Sequence, residues 1–190
     1  MTLEELWRLF PIFLVAPKEE WAISYAEEKT RLLSVLSDMK IKRISHIGST
    51  AIKGIWAKDI VDIMIELPAD EEMTTVAEKV AQNGYIEMNR TSSRISLNRG
   101  YTEEGFAERV FHLHLRYAGD NNELYFRDYL NDHPDLAREY EKLKLSLWKK
   151  YEHDRDGYTQ AKTDFVMGIT KKAKDEFGPK YAETQPENIF

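Results

Sequence analysis

Hydrophobic positions along the first two thirds of the chain switch between two periods. From Lys18 to about Asp38, Trp21, Tyr25, Leu32 and Leu36 recur on one helical face. Glu19 and Glu20 stand in its first turn, where the helix dipole favours acids. A second helical stretch runs from Glu71 to Asn83 and stops at Asn83-Gly84. Between and after them come short runs suited to strands: residues 41–47, 59–67, Tyr85 to Asn89, Arg94 to Arg99 and Glu108 to Tyr117. Gly100 and Gly105 mark the loop between the last two. Beyond Gly119 only the helical period remains. Asp120 with Glu123 reads as a capping box for a helix to about Asn131. Pro134 opens the next, striped by Leu136, Tyr140, Leu143, Leu147 and Tyr151. A last helix from about Tyr158 carries Ala161, Phe165, Ile169, Ala173 and Phe177 on one face and ends at Gly178-Pro179, before a polar, frayed tail.

The order gives an N-terminal arm (1–17), an α/β core (18–119), a helical part packing on that core (120–177) and a flexible tail (178–190). The arm's Leu6, Trp7, Leu9, Phe10, Ile12, Phe13 and Leu14 are too apolar to float free. They pack on the body or make a subunit contact.

Strand side chains alternate faces. In VDIMIEL, Val61, Ile63, Ile65 and Leu67 form one apolar face, and Asp62, Met64 and Glu66 form the other. In FHLHLRY, Phe111, Leu113, Leu115 and Tyr117 are apolar, with His112, His114 and Arg116 opposite. If both strands share a sheet with their apolar faces under the same helices, Asp62, Glu66, His112 and His114 converge on the other side. A merely solvated polar face is the alternative. An unpaired charge inside a buried strand costs several kcal/mol, so Asp62 needs either a site or a partner such as Lys58 or Arg116.

Composition narrows the chemistry. The chain has 190 residues, 42% hydrophobic, which suits one ordinary domain. A net charge of -6 argues against generic nucleic-acid binding. Cysteine is absent, so disulfides, thiol nucleophiles and thiolate-bound zinc are excluded. No apolar run approaches the roughly 20 residues of a membrane span. The acidic start, MTLEELWRLFPIFLVAP, is unlike a signal peptide. A cytoplasmic location without membrane association is expected. A kinase of the phosphate-loop type is excluded by the missing G-x-x-x-x-G-K-[ST] pattern.

The remaining motif is Gly48-Ser49-Thr50, a turn whose glycine allows close approach and whose hydroxyls and amides suit an anion. Its plain role is to begin a short helix across Ala51 to Lys53. Twelve residues separate Ser49 from Asp62. Ile47-Gly48-Ser49 followed at that distance by Asp62-Ile63-Met64-Ile65 resembles the nucleotidyltransferase superfamily, whose turn of the form hydrophobic-Gly-[Gly/Ser] precedes a strand Asp-h-[Asp/Glu]-h. HIGSTAIKGIWAKDIVDI, the His112-Leu113-His114 strand, the segment Phe126 to Leu130 (FRDYL) and the segment Ala161 to Phe165 (AKTDF) narrow the resemblance to the GrpB-like proteins, the UPF0157 family, from about Trp21 to Ile169.

The resemblance implies a nucleotidyltransferase-like mixed β-sheet with helices on one face, followed by a C-terminal helical part. It also implies a small-molecule nucleotide or coenzyme as partner, a nucleoside triphosphate as ligand and a divalent metal, magnesium or manganese, as cofactor. Relatives joined to dephospho-coenzyme A kinases point toward coenzyme metabolism. On this reading Asp62 binds metal, with Glu66, His112 and His114 as further ligands. Gly48, Ser49 and Thr50 meet the terminal phosphates, Lys58 or Lys162 steadies the leaving group, and Arg127 and Lys162 clamp substrate from the helical part.

Each residue also has a plainer reading: Lys58, Arg127 and Lys162 as solvated surface charges, His112 and His114 as exposed strand histidines. Met64 occupies the place of the second carboxylate and cannot bind magnesium. Glu66 lies about 6.5 Å farther along the strand. Two alternatives therefore stand beside transfer: a non-catalytic nucleotide-sensing module, and a metal-binding, hydrolase-like protein using Asp62, His112 and His114.

Overall fold

The structure, a computed structural model, describes residues 8–182. Its main sheet has five strands: β2 (Arg43–Ile47), β4 (Val61–Leu67), β5 (Ile86–Arg90), β6 (Arg94–Thr102) and β7 (Gly105–Tyr117). They lie in the order β2-β4-β7-β6-β5, with β4 and β7 parallel and every other pair antiparallel. Helices α1 (Glu20–Val35) and α2 (Met73–Gln82) cover one face. Beneath them lie Val61, Ile63, Ile65 and Leu67 of β4 and Leu113 and Leu115 of β7, packed with Trp21, Leu32, Val76 and Val80. The mixed sheet with α1 and α2 on one face agrees with expectation.

Helices α3 (Asn122–Asp132), α4 (Pro134–Trp148) and α5 (Arg155–Phe177) follow. They share a second core with Ile52 and Ile55, built on Phe126, Tyr129, Tyr140 and Ile169. The seam between the halves is Leu124 of α3, packed on Ile47 and Met64 against the sheet's other face. The position expected to hold a second metal carboxylate is therefore a fully buried methionine under a leucine.

Several local readings need correction. Asp120 does not cap α3, because its carboxylate is held by Arg94 at 2.6 and 2.7 Å. Helix α5 starts at Arg155, before the expected Tyr158, because Asp154 accepts a hydrogen bond from Gly157 N–H at 2.8 Å. Gly100 lies inside β6 at a bulge, where its φ of 91° and the Arg109 carbonyl 2.3 Å from any added Cβ admit only glycine. On α4 the buried face is Ala137, Tyr140, Glu141 and Lys144, whereas Leu143 and Leu147 are half-buried. Ala161 on α5 is exposed. The start of the tail is anchored: Tyr181 bonds Asp128 through its hydroxyl and accepts from Asn121 through its carbonyl.

Leu6 and Trp7 of the arm lie outside the described residues. Its later part packs on the body, with Phe10, Ile12 and Leu14 buried. A two-residue strand, β1 (Leu14–Val15), pairs antiparallel with β3 (Ala57–Lys58).

Glu66 is 2% exposed and accepts from Arg43 at 2.9 Å, Asn121 at 2.8 Å and the Gly119 N–H at 3.3 Å. It ties β2, β4 and the start of the helical part together. Glu66→Ala is expected to lower the unfolding free energy by about 3 kcal/mol, because it removes a buried carboxylate that accepts from Arg43, Asn121 and Gly119 together. Urea denaturation checks this, and an unchanged midpoint contradicts it.

Candidate functional site

The parallel register of β4 and β7 sets Asp62 opposite His112 and Met64 opposite His114. Alternation then sends Asp62 and both imidazoles to the same face. Asp62 Oδ1 lies 3.0 Å from His114 Nε2 and 3.5 Å from His112 Nδ1. Burial raises the Asp62 pKa, but hydrogen bonds and charge from His112 and His114 outweigh it and hold the carboxyl well below the usual range. Burial lowers the His112 pKa despite its bond to Asp62. Arg116, the alternative partner for Asp62, sits at the other end of the face and pairs with Asp120 and Glu123.

Gly48 has a φ of 73°, and a Cβ there would fall 2.6 Å from Asp62 Oδ2. The glycine is thus required by both backbone and contact. The bend opens a three-residue 3₁₀ turn, Ser49–Ala51, two residues earlier than the short helix expected across Ala51 to Lys53. Beside Ser49, the Tyr140 phenol is pushed up to about 12 by burial, with Ser49 opposing. Thr50 is not available to a ligand. Its buried hydroxyl donates to the Ile60 carbonyl at 3.2 Å and lies 2.9 Å from His46 Nε2. His46, stacked on Tyr25, is pushed down to about 4, chiefly by burial.

Lysines border this hollow from three elements. Lys58 on β3 is lowered to about 7 by burial and by the charges of Arg155 and Lys162, with Asp62 opposing. Lys162 on α5 is lowered to about 8 by burial, again opposed by Asp62, and lies 4.2 Å from the Tyr158 ring centre. Lys144 on α4, 1% exposed, is lowered to about 7 by burial and by Lys162 and Lys58, with Glu141 opposing. It donates to the Trp56 carbonyl and sits 4.9 Å from the Tyr140 ring centre. Tyr158 is 1% exposed, and its hydroxyl has no hydrogen-bond partner among the described residues. A cleft of about 580 Å³ opens from Gly48 along Phe126, Tyr140, Val166 and Met167, with Lys171 and Lys174 on its wall.

The structure thus brings together Gly48, Ser49, Lys58, Asp62, His112, His114 and Lys162. It does not bring in Glu66, which is engaged at the far end of the face. Arg127 is likewise occupied: it donates to the His46 carbonyl at 2.8 Å and to Asp128 at 2.8 Å, fastening α3 to β2. Residues missed in the sequence are Lys144, Tyr101, Arg155 and Tyr158. Lys144 had a signal, since it lies in phase with Tyr140 one turn away on a packed helix. Tyr101 had none, because the bulge at Gly100 decides what it meets.

Magnesium asks for a nearly octahedral set of oxygen donors. The hollow offers one carboxylate and two imidazoles, with Met64 buried under Leu124. That donor set does not fit magnesium.

These features define a mixed α/β protein whose sheet carries a carboxylate–imidazole cluster facing a lysine-bordered hollow. The family profile described as GrpB protein matches residues 11–172, and the chain belongs to that family. It is 34% identical over 163 residues to the glutamate-rich protein GrpB of Alkalihalophilus pseudofirmus, covering 83% of this chain and 93% of that one. It is 32% identical over 175 residues to the UPF0157 protein YqkA of Bacillus subtilis, covering 89% of this chain but only 50% of that relative's length. The crystal structure of conserved protein GrpB from Enterococcus faecalis superposes with a TM-score of 0.75 at 24% identity, over 87% of this chain and 99% of that one. That likeness shows the fold.

Gly48→Ala is expected to destabilise the protein by more than about 1 kcal/mol, since alanine resists positive φ. It should also displace Asp62, shifting the His112 and His114 imidazole signals by NMR. A variant with unchanged melting and unchanged imidazole signals contradicts the contact.

Proposed function

We propose that the hollow holds the phosphates of a nucleotide or phosphorylated coenzyme, and that the cleft beyond Gly48 receives the rest of the molecule. The carrying observation is the convergence of Lys58, Lys144 and Lys162 on one buried space. Burial depresses all three amines, repulsion from neighbouring cations adds to it at Lys58 and Lys144, and a polyanion relieves both. The unpaired Tyr158 hydroxyl supplies a further donor, and the cleft volume lies in the range of small-molecule sites. In nucleotidyl transfer, Gly48 and Ser49 border the phosphates, Lys58 and Lys162 steady the departing pyrophosphate, and Asp62 is the carboxylate beside the reacting phosphorus. Met64 favours a second reading, a nucleotide-binding protein without turnover, because transfer normally uses a second carboxylate there.

A thermal-shift screen of nucleoside triphosphates and coenzymes, with and without divalent ions, tests the binding. A ligand that raises the melting temperature is expected, and none doing so in any condition refutes the reading. Product formation abolished by Asp62→Ala separates transfer from sensing.

Lys162→Met is expected to weaken the ligand about tenfold to a hundredfold, the worth of a charged hydrogen bond, without lowering the stability of the free protein. Equal affinity in the variant removes Lys162 from the site. The pH dependence has a definite sign. Each amine has a folded pKa below its unfolded 10.5, so free-protein stability rises as pH climbs from about 7 toward 10.5. An anion that restores the ammonium form takes up protons over that range, and its affinity falls as pH rises. Calorimetry in buffers of different ionisation heat measures the uptake.

A further inference from the structure

We propose that Asp62, His112 and His114 form a three-ligand site for a transition-metal ion of the zinc class, in place of the magnesium that the wider resemblance implies. The three ligand atoms all lie within 4.8 Å of one another. Two ligands 2.0–2.1 Å from zinc at the tetrahedral angle stand roughly 3.3 Å apart. The separations of 3.0 Å and 3.5 Å from Asp62 Oδ1 to the two imidazoles bracket that value. Imidazole nitrogen suits zinc, copper, iron and nickel better than magnesium, so this donor set sets the selectivity.

A metal-binding histidine is normally held through its other nitrogen. His112 meets this condition. Its Nδ1 faces Asp62, while its Nε2 lies 2.8 Å from the Tyr101 hydroxyl, which accepts from Arg155 Nη2 at 3.0 Å. A phenol both donates and accepts, so it serves the ring with Nε2 either bare or protonated. Rotation of the ring is further limited by its stacking on Tyr101 at 5.8 Å. Gly48 places no side chain of its own against Asp62 Oδ2, where a Cβ would fall 2.6 Å away. Three protein ligands leave one tetrahedral position open, the arrangement of catalytic rather than structural zinc. Lys58 and Lys162 border the same hollow, where an anionic oxygen would take the fourth place.

The inference goes beyond the phosphate-binding reading and does not depend on it, because the metal alone is the probe. Full-length, tag-free protein is stripped with chelator and titrated with cobalt(II), then zinc, followed by magnesium in about a hundredfold excess. One equivalent of cobalt is expected to give visible ligand-field bands that zinc abolishes and magnesium leaves intact. H112Q/H114Q, checked for folding by circular dichroism and melting, should lose the bands and the zinc-induced rise in melting temperature. Y101F retains the ring and the stack and should weaken zinc about tenfold to a hundredfold, as lost outer-shell bonds do. Folded wild type that binds no stoichiometric cobalt overturns the site. So does a folded double variant that binds as tightly, or magnesium that displaces zinc.

Discussion

The register between β4 and β7 is the constraint on which the rest depends. A slip of one residue would turn every side chain of a strand to the opposite face. Ile63, Ile65, Leu113 and Leu115 would then leave the core under α1 and α2. The same slip would part Asp62 from the two imidazoles. Core and chemistry are thus fixed by one set of backbone hydrogen bonds. Because β4 and β7 are parallel, the chain must run out through α2 and the β5–β6 hairpin before returning. Burial of the apolar face makes the correct register the only stable one, and the polar cluster follows from it.

The polar face opposite is divided into three zones, each with its own physics. At one end Glu66, Arg43, Arg116 and Asn121 form an ionic clasp to the helical part. In the middle Met64, Ile47 and Leu124 make a dry seam. Only at the other end does the face stay open, and there the carboxylate, the imidazoles and the lysines collect. The seam separates two carboxylates four residues apart in one strand, about 13 Å along it. One became a structural anchor and the other remained free for chemistry.

Much of this was legible because period-two alternation is a local property. DIMIE and HLH each declare which side chains share a face, and the apolar partners declare which face is covered. The helical stripes were readable for the same reason, apart from α4, where Lys144 and Glu141 occupy buried positions that Leu143 and Leu147 were expected to fill. What each position on a face meets was not legible. Glu66 shares its face with Asp62, yet what meets it is decided by Asn121 and Arg43, from distant parts of the chain. Arg127 is a similar case, since a cation in a family motif looks like a substrate clamp and only the fold brings its His46 carbonyl and Asp128 carboxylate partners into view. The lysine cluster draws on β3, α4 and α5, so no spacing rule along the chain could have assembled it.

The arm's short pairing with β3 has a consequence for the whole hollow. β1 hydrogen-bonds to the strand that bears Lys58, and Phe10 packs at 4.7 Å on Tyr101, the residue steadying His112. Residues 10–15 therefore brace both the Lys58 strand and the Tyr101 ring. Free energy is a state function, so any stabilisation the buttress lends to a filled cavity is returned equally, as tighter seating of the arm when the cavity fills. The amino-terminal segment and the cavity's occupant are reciprocal guests of one scaffold.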